Sequence, residues 1–114
     1  MYDTNFVKAS STGEAAKALS GADDGKLLAG GMTLIPTMKQ RLASPDCVVD
    51  LSGCNLSGIE DNGDSIKIGA MTTHADVASS ATVQKGISAV ADLAGNIGDR
   101  QVRNRGTMGG SVAN

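Results

Sequence analysis

Lys26-Leu27-Leu28-Ala29-Gly30-Gly31-Met32-Thr33-Leu34-Ile35-Pro36 carries a short apolar run straight into a glycine pair and out through a hydroxyl residue. The run reads as a buried strand, because a continuous apolar stretch bounded by turn residues suits a strand covered on both faces. Thr33 reads as the N-cap of a following helix, with Pro36 tolerated in its first turn and Leu34, Ile35, Met38 and Leu42 giving an apolar face. Adjacent glycines let bare backbone approach a ligand, and consecutive N–H groups in such a turn, beside the unpaired donors of a helix start, suit a phosphate. A tight strand-to-helix turn with no ligand uses the same residues, since a glycine pair is also ordinary punctuation. The order is not G-x-G-x-x-G and no Lys-Ser/Thr pair follows, so neither a classical dinucleotide fold nor a P-loop is indicated.

On the N-terminal side, Asn5-Phe6-Val7-Lys8 reads as a short strand, Ser10, Ser11 and Thr12 offer hydroxyl caps, and Glu14-Ala15-Ala16-Lys17-Ala18-Leu19 is strong helix former, ended by Gly21 and Gly25. On the C-terminal side Pro45 closes the second helix and Cys47-Val48-Val49-Asp50-Leu51 is a further strand. The elements form a compact β-α-β-α-β layer over about residues 1–55. Beyond it, Ile59-Glu60 and Ser65-Ile66-Lys67-Ile68 flank an Asn62-Gly63 turn and predict a hairpin. Thr73 with Asp76 resembles a capping box, and Ile87, Val90, Leu93, Ala94 and Ile97 recur at the spacing of an amphipathic helix from about Gly86 to Ile97, stopped by Gly98. Arg100 to Arg105 is polar and basic and receives no element. No internal repeat is present, although a second glycine pair, Thr107-Met108-Gly109-Gly110-Ser111, echoes the first. Read as a second glycine loop, it would add backbone donors and two hydroxyls. Val112-Ala113 begins an element with nothing to pair it, which predicts a piece of a longer polypeptide.

With 114 residues the chain suits one domain or part of one, and with one Tyr, one Phe and no Trp its core must be aliphatic. Ten basic and 12 acidic side chains are mixed along it for a net charge of −2, so no overall field favours nucleic acid or an anionic membrane. Met1-Tyr2-Asp3-Thr4-Asn5 lacks a signal-peptide pattern, and no apolar run approaches the roughly 18–20 residues that span a bilayer, which predicts a soluble cytoplasmic protein. Cys47 and Cys54 have no further Cys and no nearby His, matching neither a zinc nor an iron–sulfur pattern, and read as buried reduced thiols.

His74, the single histidine, stands beside a helix start and reads as a capping or packing residue. Arg100, Arg103 and Arg105 could lend positive potential to an anion, though such a run is more often a solvated or salt-bridged face. No Ser, Cys or paired carboxylates form a nucleophile constellation, so no catalytic residue and no metal ligand is assigned.

The two glycine motifs, with Ile97-Gly98-Asp99-Arg100-Gln101-Val102-Arg103-Asn104-Arg105-Gly106 leading into the second, resemble the FAD-binding domain of the molybdenum hydroxylases (the xanthine dehydrogenase family), nearest to the medium subunits of aerobic carbon monoxide dehydrogenases. The resemblance implies an α+β fold of the PCMH type: the small β-α-β-α-β lobe, then the start of a larger mixed lobe over about residues 56–114, truncated here, with FAD lying between them. It implies that Ala29, Gly30, Gly31, Met32 and Thr33 wrap the FAD pyrophosphate, that Thr107, Met108, Gly109, Gly110 and Ser111 form the second grip, and that Ile97 lies near the isoalloxazine ring. By its spacing alone, Ile97 serves equally as the last core residue of its helix. Met32 stands where the family often has a polar residue and Ser111 where other branches have Asn. The implied partners are a molybdenum-cofactor large subunit and a [2Fe-2S] small subunit, with electrons passing through FAD to an external acceptor. A self-contained flavin reductase of the enolpyruvyl reductase type, or a non-catalytic assembly module, are the other functions considered.

Overall fold

The computed structural model describes residues 2–113, which form a mixed α/β structure of two compact units, Met1–Asn55 and Leu56–Asn114. In the first, β1 (Asn5–Lys8), α1 (Thr12–Ser20), β2 (Gly25–Leu28), α2 (Leu34–Lys39) and β3 (Cys47–Asp50) give the β-α-β-α-β order read from the sequence. The strands are parallel in the order β1-β3-β2, with Val7, Val49 and Leu27 in register across the sheet. The last strand made is therefore the central one, and Cys47, Val48 and Val49 are all buried, as a strand with helices or loops over both faces requires. Ala15 of α1 and Met38 of α2 add the other buried apolar side chains of these elements, and α1 lies against β2 and β3.

Local signals explain most of these boundaries. The Ser11 hydroxyl accepts from the Glu14 N–H at 3.1 Å to cap α1, and Gly21 ends the helix. α2 stops at Lys39, several residues before Pro45, because Arg41 turns into the left-handed region at φ 59°. Leu42 consequently lies outside the helix and is 76% exposed, which corrects its assignment to the apolar face. Cys47 and Cys54 are buried free thiols.

The second unit opens with the hairpin β4 (Ile59–Asp61) and β5 (Ile66–Ile68), antiparallel as expected. Asn62 N–H bonds the Ser65 carbonyl at 2.9 Å, so Gly63 and Asp64 are the central turn residues, and Gly63 takes the φ of +88° that the first of them needs. α3 (His74–Ser79) starts at Thr73, whose hydroxyl accepts from Asp76 N–H at 3.2 Å.

The helix expected over about residues 86–97 is α5 (Ser88–Gly95), shorter at each end, and it is preceded by a helix the sequence reading did not assign, α4 (Ala81–Gly86). Ser80 caps α4 through the Val83 N–H, and Ile87 between the helices leaves the helical region at φ −142°, ψ 74°. The buried residues are Val83, Ala91 and Ala94, with Val77 of α3, while Ile87 and Leu93 are exposed. Small side chains form the buried face because α3 and α5 pack closely: the Cβ a side chain would add at Gly95 lies 3.7 Å from Ala78. The unassigned basic stretch is a helix, α6 (Arg100–Arg105), capped by Asp99. Among the described residues no helix is long and apolar enough to cross a membrane.

Candidate functional site

At the first glycine pair, β2 ends at Leu28 and α2 begins at Leu34, leaving Ala29 to Thr33 as the connection. Gly31 sits at φ +78°, and a Cβ there would meet Ile35 Cγ1 at 2.9 Å, so glycine is needed on both counts. The Gly31 and Thr33 carbonyls accept from Ile35 and Thr37 N–H at 3.1 and 3.2 Å, which orders the turn into the helix. None of the N–H groups of Ala29, Gly30, Gly31, Met32 and Thr33 donates to another described residue. Thr33 occupies the N-cap position, but its side chain accepts no capping bond and its backbone is already helical. Met32 and Thr33 are exposed, and Ala29, Gly30 and Gly31 are half-buried. The result is a turn of unengaged donors reachable from solvent, a set that fits the oxygens of a diphosphate.

The second glycine pair is built differently. Thr107 forms an antiparallel bridge with Thr73, and Met108 to Ala113 is helical (α7), so the motif is a helix start and not the expected loop. Its backbone donors are engaged: Met108 N–H with the Thr72 carbonyl at 3.0 Å, Gly109 with Ala70 at 2.8 Å, Gly110 with the Thr107 hydroxyl at 3.1 Å and Ser111 with the Thr107 carbonyl at 3.1 Å. The reason is the Thr73–Thr107 bridge, which lays the segment along residues 70–72. Met108 packs on the core of its unit. A Cβ at Gly109 would stand 2.7 Å from the Ala70 Cβ, so this glycine answers to packing. What the motif offers a ligand is the small residue Gly110 and Ser111, an exposed residue whose hydroxyl oxygen lies 2.9 Å from His74 Nε2.

Ile97 is half-buried in the connection between α5 and α6, apart in sequence and element from α7. Arg103 is committed there, its guanidinium donating to the Ile97 and Gly98 carbonyls at 3.3 and 3.0 Å. Arg100 and Arg105 are exposed.

His74 is the packing residue that the sequence indicates, with a contact to Ser111 that the sequence does not. It is 2% exposed, its Nε2 lies 2.9 Å from Ser111 Oγ, and its own N–H donates to the Gly106 carbonyl at 3.0 Å. Burial pushes its imidazole below the ordinary value of 6.5. Nothing local in the sequence links position 74 to position 111. The pairing arises only from the strand bridge that aligns Thr73 with Thr107.

A parallel β-α-β-α-β layer in one unit, with a turn of N–H groups unpartnered among the described residues, and a hairpin-and-helix unit carrying a second glycine pair make up a mixed α/β fold of the α+β class. The chain belongs to the family of FAD binding domains in molybdopterin dehydrogenases, matched over residues 2–114. It is 46% identical over 105 residues to the carbon monoxide dehydrogenase medium chain of Hydrogenophaga pseudoflava, covering 90% of this chain and 37% of the relative. It is 39% identical over 109 residues to the nicotine 6-hydroxylase medium subunit of Paenarthrobacter nicotinovorans, covering 95% of this chain and 38% of the relative. Among solved structures, a chain of carbon monoxide dehydrogenase from Hydrogenophaga pseudoflava superposes with a TM-score of 0.95 at 42% identity, over 98% of this chain and 40% of that one. Quinoline 2-oxidoreductase from Pseudomonas putida superposes with a TM-score of 0.93 at 32% identity, over 98% of this chain and 40% of that one. The chain thus spans about two fifths of the length of these relatives.

Proposed function

We propose that the full-length protein is the FAD-binding medium subunit of a molybdenum hydroxylase, working in the cytoplasm. In this reading, electrons taken from the substrate at a molybdenum cofactor in a large subunit, and carried by [2Fe-2S] clusters in a small subunit, leave through this subunit to an external acceptor. The observation that carries the reading is the turn from Ala29 to Thr33, where N–H groups without partners among the described residues surround a glycine held at positive φ. These donors would hold the diphosphate of FAD, with Gly30 and Gly31 admitting it close to the backbone. Ser111 would add a hydroxyl, Gly110 a surface free of side chain, and Ile97 an apolar contact for the ring. FAD supplies the redox chemistry, accepting electrons in pairs or singly. The chain's own groups bind and orient; none is assigned a proton-transfer role. Membership of the family and the medium-subunit names of its relatives support the assembly.

The test is anaerobic reduction of the flavin by substrate, followed at its visible absorption band. Bleaching should require the molybdenum and iron–sulfur subunits. Equal rates with the isolated flavin subunit would overturn the relay and favour a self-contained reductase.

A further inference from the structure

We propose that His74 is a positioning residue for the flavin site: from its buried place it donates through Nε2–H to the Ser111 oxygen, leaving the Ser111 proton for a phosphate oxygen of FAD. The inference rests on the flavin reading above. Its basis is the contrast between two neighbouring groups, an imidazole 2% exposed and an exposed serine, joined at 2.9 Å.

The imidazole has little freedom. Its backbone is tied to the Gly106 carbonyl, and a side chain at Gly106 would bring a Cβ within 3.1 Å of the His74 Cδ2, so the ring fills the space that glycine leaves. The other ring nitrogen, Nδ1, is buried and has no hydrogen-bond partner among the described residues.

That orphaned atom selects the tautomer. A proton on Nδ1 would be a buried donor with nothing to receive it, whereas a lone pair there is the milder deficit. The proton therefore belongs on Nε2, where Ser111 Oγ receives it. Protonating both nitrogens would restore the orphaned donor and add a buried charge.

A serine hydroxyl has one proton to give and lone pairs to accept with. Once its oxygen accepts from His74, its proton points elsewhere, and the exposed position of Ser111 leaves that proton to a ligand. Accepting one hydrogen bond also strengthens the one donated. An anion-binding hydroxyl thereby becomes an oriented donor, a task that the engaged N–H groups of Met108, Gly109, Gly110 and Ser111 cannot perform.

The experiment uses the full-length protein. FAD affinity is measured by flavin fluorescence for wild type, Ser111→Ala, His74→Ala, His74→Gln and the Ser111→Ala/His74→Ala double variant, with melting curves as the folding control. Ser111→Ala and His74→Ala should each weaken binding by about tenfold to a hundredfold, the range for one hydrogen bond to a charged group. The double variant should bind no worse than Ser111→Ala, and His74→Gln, which keeps an N–H at similar reach, should recover most of the loss. Independently, the ring nitrogens of His74 in wild-type protein loaded with FAD should give the 15N shifts of the Nε2–H tautomer.

Losses that add in full in the double variant, or an Nδ1–H tautomer, would overturn the role of His74. The tautomer measurement decides the matter even where His74→Ala does not fold. Wild-type protein that fails to retain FAD would overturn the flavin reading and this inference with it. Retention unaffected by either alanine variant overturns the His74 inference alone.

Discussion

Gly31 and Gly109 are glycines for reasons that need no ligand, since a Cβ at either would strike Ile35 or Ala70 at under 3 Å. Gly30 and Gly110, the other member of each pair, are the positions at which the cofactor reading is tested. In the full-length protein, Gly30→Val should strip FAD on gel filtration while leaving much of the secondary structure, read by circular dichroism, in place. Gly31→Val should instead lose about 1–3 kcal/mol of folding stability, because a branched side chain is strained at positive φ. A Gly30→Val protein that elutes yellow would contradict the phosphate assignment. His74 sets a different observable. Its folded pKa lies below the unfolded 6.5, so as pH falls beneath 6.5 the unfolded chain takes up a proton first and stability drops, levelling only when the folded imidazole also protonates. Asp46 acts with the same sign in a lower window. N–H groups of Asp24 and Asp23, at 2.9 and 3.1 Å, hold its carboxyl below 3.8, so its contribution is present above 3.8 and lost as pH falls further. Urea unfolding measured between pH 7 and 5 should show the upper loss in wild type and not in His74→Gln.

Elements with their own local signals were readable in the sequence. Ser11 and Thr73 announce α1 and α3 through side chains that bond a backbone N–H three residues on, and the Gly63 turn announces the hairpin between β4 and β5. The first glycine pair is likewise a strand-to-helix turn, as its residues indicated. The failures share one cause, that tertiary contact outweighs local pattern. Of the face with helical spacing, Ala94 is buried and Val90 packs on the core, yet Ile87 and Leu93 are exposed and Ala91 is buried, because α3 comes close. The second glycine pair looks like a loop, yet the Thr73–Thr107 bridge organises it as α7. α6 was missed although Asp99, three residues before Val102, is a cap signal, and its carboxylate accepts from the Val102 N–H at 2.8 Å. Asp99→Ala should cost about 1 kcal/mol, read as a lower urea midpoint with an unchanged slope. Since Arg103 ties α6 to the Ile97 carbonyl, the same variant should loosen the segment that carries Ile97, seen as faster amide exchange there.

On the scale of the whole molecule, the sequence correctly indicated an aliphatic chain with a β-α-β-α-β layer ahead of a mixed region, because composition and the succession of elements survive whatever happens at individual turns. The pairing of His74 with Ser111 had no such trace, since it joins positions 37 apart in the chain through packing alone. The strand order of the parallel layer reaches beyond the finished structure to the moment of synthesis. β1 and β2 do not bond each other; each bonds β3, whose last residue is Asp50. A ribosome that has released only the first two strands has therefore released two edges and no sheet. The Ala29 to Thr33 turn, which hangs from the end of β2, stays unformed until Cys47-Val48-Val49-Asp50 emerges and closes both pairings at once. Nascent chains stalled before that strand is free should remain sensitive to protease throughout, and those stalled just after should become protected from β1 to β3 together. Stepwise protection, with β1 or α1 sheltered first, would mean that the layer has a stable intermediate that its pairing does not provide.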